Sequence, residues 1–302
     1  MHMPFLQIEK NSLIDTSTIF WISPTTFIIL TMIYSEIIVL KPIKSLGQNF
    51  LRDENILHKI VESLDIQSGD VIVEIGSGQG ALTKHLSDKL VKLIGIEVDE
   101  RAVRLLRERF GEKLELIHQD VLDVNLGELA QNNGGKVRIV GNIPYYLTSE
   151  ILFWLFDARI AVVDATLMVQ FEVARRLVAP PKNKEYGILS IFTQFYTECE
   201  MLFKVSRNCF FPKPEVDSAV VQFKFKEQLP DCDEKLFRSI VRSTFGQRRK
   251  TMRNGLKSMG FDDSVLDRIS FDFKKRPEEL GVEGFLLLTS NLSKILNSKS
   301  IS

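Results

Sequence analysis

Asn142-Ile143-Pro144-Tyr145 concentrates more chemistry in four residues than any other segment of this 302-residue chain. An asparagine amide beside a backbone carbonyl offers two hydrogen-bond acceptors side by side. The Asn142 side-chain oxygen and the Ile143 carbonyl can pull on the two N–H bonds of an exocyclic amino group such as that of adenine. Such a nitrogen is a poor nucleophile because its lone pair is delocalised into the ring. Two acceptors favour the pyramidal form, with the lone pair localised and able to attack an electrophilic carbon. Pro144 fixes its own φ and stiffens the turn. Tyr145 supplies a flat face on which a base can stack. Taken alone, the tetrad also reads as an ordinary strand-to-helix turn, with Asn and Pro as breakers.

A second chemical segment is Glu74-Ile75-Gly76-Ser77-Gly78-Gln79-Gly80. Glycines let a backbone turn sharply and approach a ligand closely. The next acid at a strand end is Glu97, about twenty residues on, where a carboxylate can hold two ribose hydroxyls. The two together describe a nucleoside-binding strand-loop-helix-strand unit. NAD enzymes, methyltransferases and ligand-free turns all use such loops. The G-x-G-x-G spacing, with Ala81 in the last position of the dinucleotide pattern, leans towards a methyltransferase. No hydride-transfer constellation accompanies it, which disfavours an NAD oxidoreductase.

The elements that must position these residues follow from an alternating pattern. Short apolar runs at 71–75, 93–96, 114–117, 137–140 and 166–169 alternate with helical periodicity at 99–110 and 149–156. Strands with few polar positions between helices predict an α/β fold with a parallel sheet covered on both faces. Residues 217–225 read as an antiparallel partner strand. Ligands in such folds bind at the carboxyl ends of the strands, so the tetrad and the glycine loop face one crevice. A polar break at 228–231 predicts a domain boundary, beyond which the pattern is helical without strand signals.

Composition excludes little. Hydrophobic residues make up 44% and charged residues 26%, as in a folded globular protein, and 39 basic residues balance 39 acidic ones. A nucleic-acid partner must therefore be argued from where charge sits. Between 236 and 261 stand Arg238, Arg242, Arg248, Arg249, Lys250, Arg253 and Lys257, with no acid. RNA phosphate is the natural partner of such a stretch; the bland alternative is a solvated face whose charges pair with acids elsewhere. Cys199, Cys209 and Cys232 form no C-x-x-C pair and read as reduced thiols of a cytoplasmic protein. The four histidines, His2, His58, His85 and His118, offer no metal-ligand spacing, so no metal is expected. Residues 19–40 are rich in apolar side chains and about long enough to span a bilayer, but Ser23-Pro24 interrupts them and Glu36 lies inside. A membrane anchor and a segment packed on the domain are two readings. The favoured third is a start call too far upstream, with Met32 as the true start.

With these segments in view, the chain from about residue 41 onward resembles the ribosomal RNA adenine dimethyltransferase family. Within it, the chain is most like the bacterial members that dimethylate N6 of two adjacent adenosines near the 3′ end of small-subunit (16S) rRNA. The resemblance is carried by Lys44 to Leu51 (KSLGQNFL), the glycine loop, Glu97, Asp120, the tetrad, Phe210 to Ser218 (FFPKPEVDS) and Phe245 to Lys250 (FGQRRK). It implies a Rossmann-like class I methyltransferase with a mostly parallel seven-stranded sheet over 41–229, a small all-α RNA-binding domain over 230–302, and an atypical extension over 1–40. It implies S-adenosylmethionine as cofactor, held by Gln48, Asn49, Leu51, Glu74, Gly76, Gly78, Glu97, Asp120 and Asn142. Asp120 would bond the cofactor's adenine amino group. Asn142, Ile143, Pro144, Tyr145 and Phe210 would hold the target base, with Phe210 as a second stacking ring. Arg248, Arg249 and Lys250 would meet RNA.

The implied partner is ribosomal RNA in the small subunit or its precursor, with neither metal nor membrane, for a monomer in the cytoplasm. Two alternatives stand beside this reading: a large-subunit rRNA adenine methylase of the antibiotic-resistance type, and a non-catalytic RNA-binding or assembly factor. Many relatives carry Asn after the motif tyrosine, where Tyr146 stands here. That change leaves the proposed acceptors in place and bears on the shape of the pocket.

Overall fold

A computed structural model describes residues 40–89 and 91–299; the expectations for the apolar N-terminal run and for a start at Met32 lie outside the described residues. In chain order the elements are β1 Phe50–Leu51, α1 Glu54–Ser63, β2 Val71–Ile75, α2 Ala81–Leu86, β3 Lys92–Glu97, α3 Glu100–Phe110, β4 Glu115–His118, α4 Leu126–Asn132, β5 Val137–Asn142, α5 Thr148–Asp157, β6 Val162–Gln170, α6 Phe171–Leu177, α7 Ile188–Tyr196, β7 Thr197–Val205, β8 Phe210–Phe211 and β9 Ser218–Phe225. Four helices follow: α8 Glu234–Gly246, α9 Met252–Lys257, α10 Asp263–Leu266 and α11 Val282–Lys299.

Side chains at the termini fix where the helices start. Asp53 accepts from the backbone N–H groups of Asn55 and Ile56, Asp99 from Arg101, Asn125 from Glu128 and Asp233 from Leu236. Each such cap is worth about 1 kcal/mol. Helix α1 then buries Leu57, Ile60 and Val61, a stripe at helical spacing.

The strands form a seven-stranded sheet in the order β4-β3-β2-β5-β6-β9-β7. Strands β2 to β6 run parallel to their neighbours among themselves, and β9 lies antiparallel between β6 and β7. Strands β2 and β3 are buried along almost their whole length, which is why they read as continuous apolar runs. From β2 the chain moves outward to β3 and β4, then returns to β5 on the other side of β2. The reversal puts a crevice at the carboxyl ends of β2 and β5. Gly141 is registered against Ile75 there, and a Cβ on Gly141 would lie 2.6 Å from the Ile75 carbonyl oxygen. Any larger residue would push the two strand ends apart where the glycine loop and the tetrad begin.

Arg138 clamps the opposite end of β5. It pairs with Asp70 at 2.7 Å and Asp164 at 2.6 Å and also donates to the Leu64 carbonyl. The main core runs without a break from Val73 and Ile139 in the sheet, through Phe192 and Phe195 of α7, to Phe237 of α8 and Phe285 of α11. The polar break at 228–231 is the loop between β9 and α8, and the core crosses it: the described residues from Leu40 onward make one compact unit. No helix among the described residues is long and apolar enough to cross a membrane.

Candidate functional site

The glycine loop leaves β2 and enters α2 directly, with Gly76, Gly78 and Gly80 all at positive φ. At Gly78 (φ 53°) a Cβ would be strained and would also lie 3.1 Å from the Phe50 ring, so the loop is shaped as much by β1 as by its own residues. Beside the loop, Glu97 ends β3 and is 5% exposed. One carboxylate oxygen accepts from Gly78 N–H at 2.7 Å; the other accepts from Val98 and Asp99 N–H, both at 2.9 Å. An ionised carboxylate has about four acceptor directions, so about one remains for a ligand hydroxyl, rather than the two expected from the sequence. Burial raises the Glu97 pKa, and the bonds from Asp99, Gly78 and Val98 oppose that shift.

Residues 40–49 are strapped across the start of α3. Gln48 accepts from Ile43 N–H at 2.9 Å and donates to Asp99 at 2.9 Å. Arg101 pairs with the same Asp99 and holds its carboxyl down at about 2. Gln48 is thereby a structural tie, although it also lines the cleft.

On the far side of the cleft stands the tetrad. Asn142 donates from Nδ2 to the Asn49 backbone carbonyl at 2.8 Å. That bond turns Oδ1 the other way. Neither Asn142 Oδ1 nor the Ile143 carbonyl accepts a hydrogen bond from the described residues. Tyr145 shares a hydrogen bond of 2.7 Å with Ser218 Oγ at the start of β9, which fixes its ring. Burial raises the Tyr145 pKa, so its hydroxyl is neutral near pH 7. Tyr146 is 57% exposed, and its ring lies over Gly47, where a Cβ would come within 3.1 Å. It forms part of the cleft wall, so the departure at this position does shape the pocket.

The cleft holds about 890 Å³ of empty space, part of it open to solvent. Gln48, Asn49, Gly76, Gly78, Glu97, Asp120, Asn142, Ile143, Pro144 and Tyr145 all line it. Asp120 is exposed there and accepts from Leu122 N–H at 3.0 Å, leaving acceptor capacity for an amino group. A glycine cradle beside a buried acceptor, with a second acidic residue at the rim, fits a nucleoside-bearing cofactor.

Three expected site residues stand elsewhere. Glu74 and Leu51 line a smaller neighbouring cavity behind the loop, which Gly76, Gly78 and Asn142 also border. Glu74 accepts from Thr83 Oγ1 at 2.6 Å, and burial pushes its carboxyl up to about 7. Its place is behind the loop rather than against the main cleft. Phe210 pairs with Leu51, is 5% exposed and lines neither cavity. The exposed ring of that strand is Phe211, under the Arg52 guanidinium at 4.0 Å.

The basic stretch is more occupied than its composition suggests. Arg238 pairs with Asp157, Arg248 with Glu278, Arg253 with Asp263 and Asp267, and Lys257 with Asp263. Arg248 also donates to the Lys184 carbonyl at 2.8 Å, which makes it a structural tie. Arg249 and Lys250 are exposed and form no ion pair among the described residues. Sequence reasoning also missed two features. Gly141 is required by the strand approach, and Glu54, His58 and His85 are gathered on one surface, the latter two separated by 27 positions (58 to 85) in the chain.

A sequence profile described as "Ribosomal RNA adenine dimethylase" matches residues 40–279. Ribosomal RNA small subunit methyltransferase A of Chlorobium phaeobacteroides (strain BS1) is 47% identical over 249 residues, covering 82% of this chain and 93% of that protein. The protein of the same name from Clostridioides difficile (strain 630) is 39% identical over 267 residues, covering 85% and 91%. Among solved structures, a dimethyladenosine transferase from Plasmodium falciparum matches with a TM-score of 0.67 and 27% identity, over 81% of this chain and 98% of that one. The 23S rRNA methyltransferase ErmE matches with a TM-score of 0.60 and 26% identity, over 81% and 99%.

Proposed function

The chain belongs to the ribosomal RNA adenine dimethylase family, and from that premise we propose that it transfers methyl groups from S-adenosylmethionine to N6 of two adjacent adenosines near the 3′ end of small-subunit rRNA. The observation that carries this reading is the pair of acceptors, Asn142 Oδ1 and the Ile143 carbonyl, on the wall of the same cleft as Glu97 and the glycine loop. The two sequence relatives described above are named as small-subunit methyltransferases, at 47% and 39% identity against 26% for ErmE, which favours that RNA over the large-subunit target in ErmE's name.

The residues divide the work by position. Gly76 and Gly78 give the cofactor a close backbone approach, Glu97 accepts from its ribose, and Asp120 accepts from its adenine amino group. Bound there, the cofactor supplies an electrophilic methyl group. Asn142 and Ile143 hold the two protons of the unmethylated amino group, and after the first transfer the one that remains, and so direct its lone pair out of the ring plane. Tyr145, fixed by Ser218, carries the base on its face. Positioning and two fixed dipoles are effects of the size that enzymes use for large accelerations. The nitrogen becomes acidic as it is alkylated, so its proton passes to water without a dedicated carboxylate or imidazole. We place RNA binding on the helical part from residue 230, with Arg249 and Lys250 as phosphate contacts, and the working protein as a cytoplasmic monomer.

The test is tritiated methyl transfer, in parallel, onto small and large subunits from cells lacking this modification, followed by mass mapping of the RNA fragments. The reading predicts two dimethylated adenosines in the 3′ region. Label on large-subunit RNA instead, or no transfer, would overturn it.

A further inference from the structure

Outside the cleft, three metal-ligating side chains meet on the surface formed by α1 and α2. Glu54 and His58 stand four residues apart on α1 and therefore share a face. His85, in the last turn of α2, reaches the same spot: its Nε2 lies 2.8 Å from Glu54 Oε2. The His58 and His85 rings are 4.4 Å apart. One ligand atom from each of the three residues lies within 4.8 Å of the others. We propose that Glu54, His58 and His85 form a binding site for a divalent transition metal of the zinc class, which clamps α1 to α2.

Donor chemistry selects the class. Two imidazoles and a carboxylate suit Zn²⁺, Co²⁺ and Ni²⁺, whereas Mg²⁺ and Ca²⁺ take oxygen shells. Tetrahedral bonds of about 2.0–2.1 Å put ligand atoms about 3.3 Å apart. The observed separations, up to 4.8 Å, must shorten to that spacing on binding, and Glu54 and His58 are the exposed side chains that would turn to do so. Three protein ligands leave a fourth position for water. The Glu54 side chain is 57% exposed, so an ion can enter from solvent. Lys84 Nζ, 3.5 Å from the other Glu54 oxygen and 65% exposed, is free to swing aside as the metal takes its place. None of the three ligands lines the cleft, so this site is separate from the transfer chemistry. What it holds is α2, the helix that follows directly on Gly80 at the end of the glycine loop.

The test uses the full chain stripped by a chelator. Zn²⁺ is titrated by calorimetry and Co²⁺ by visible absorption, and thermal unfolding is followed with and without Zn²⁺. The proposal predicts saturable uptake of one equivalent, a Co²⁺ spectrum without a thiolate band, and a rise in the unfolding midpoint on occupancy. Glu54→Gln, His58→Gln and His85→Gln should each weaken uptake by at least the roughly 10–100-fold that losing a mere orienting partner costs. Each should also abolish the midpoint shift. Should His85→Gln unfold the chain, the exposed Glu54→Gln decides. No saturable uptake, uptake undiminished in these variants, or a thiolate band would overturn the site.

Discussion

The Asn142 amide donates from Nδ2 to the backbone carbonyl of Asn49 at 2.8 Å, across 93 positions of chain. An oxygen facing a carbonyl at that distance would be repelled, so the bond fixes which end of the amide enters the cleft. It couples the segment before β1, expected to touch the cofactor, to the end of β5, expected to touch the base. Asn142 thus presents an oriented acceptor before substrate arrives, which is what gives a fixed dipole its advantage over water.

Glu97 is the first point of leverage on cofactor binding. Replacing it with Ala removes the proposed ribose acceptor and releases the N–H groups of Gly78, Val98 and Asp99. Losing one hydrogen bond to a charged acceptor costs about 1.5–3 kcal/mol. Affinity for S-adenosylmethionine should fall at least about tenfold by calorimetry, and unchanged affinity would remove Glu97 from the site.

Glu74 predicts an inverted pH dependence of stability. Its carboxyl, ordinarily near 4.5, is raised to about 7, chiefly by burial. Below about pH 4.5 it is protonated both folded and unfolded, and its full contribution is present. As pH rises from about 4.5 to about 7, the unfolded chain gives up its proton while the folded one keeps it, and the contribution is lost progressively until the folded form ionises too. Relative to Glu74→Gln, the wild type should therefore lose roughly 3 kcal/mol between pH 4.5 and pH 8, at about 1.36 kcal/mol per unit. Urea unfolding at both pH values measures the difference. Parallel pH dependence in the two proteins would show that Glu74 is not held neutral.

The basic turn after α8 separates binding from folding. Arg249→Gln with Lys250→Gln should flatten the salt dependence of RNA binding by about 0.7–0.9 log units per lost phosphate contact and leave cofactor affinity alone. Arg248→Gln should instead lower stability, because Arg248 ties Glu278 and the Lys184 carbonyl together. A salt slope unchanged by the double substitution would make Arg249 and Lys250 an ordinary solvated face.

What was legible in the sequence was whatever is local. Strand β2 runs into Gly76 and β5 into the Asn142–Pro144 turn, both breakers, and strands β2 to β5 lie where periodicity places them. The seven-stranded sheet implied by the family resemblance is the one observed. What was not legible depends on distant partners. Helix α7 passes into β7 at Tyr196–Thr197 with no breaker between them, so that strand had no sequence boundary. The adjacent Phe210 and Phe211 gave no sign of which ring turns inward, since β8 is set by pairing with β1. Two of the acids that occupy the basic stretch, Asp157 and Glu278, lie far from it in the chain, whereas Asp263 and Asp267 stand just beyond its end.

The most direct test of the central claim is the single-turnover rate of Asn142→Ala with saturating S-adenosylmethionine and RNA. Removing one oriented acceptor should slow methyl transfer by about two to three orders of magnitude, the cost of losing one preorganised polar group, with binding of both ligands little changed. A rate near that of the wild type would contradict the account, because the target amino group would then be activated by something other than the Asn142–Ile143 acceptor pair.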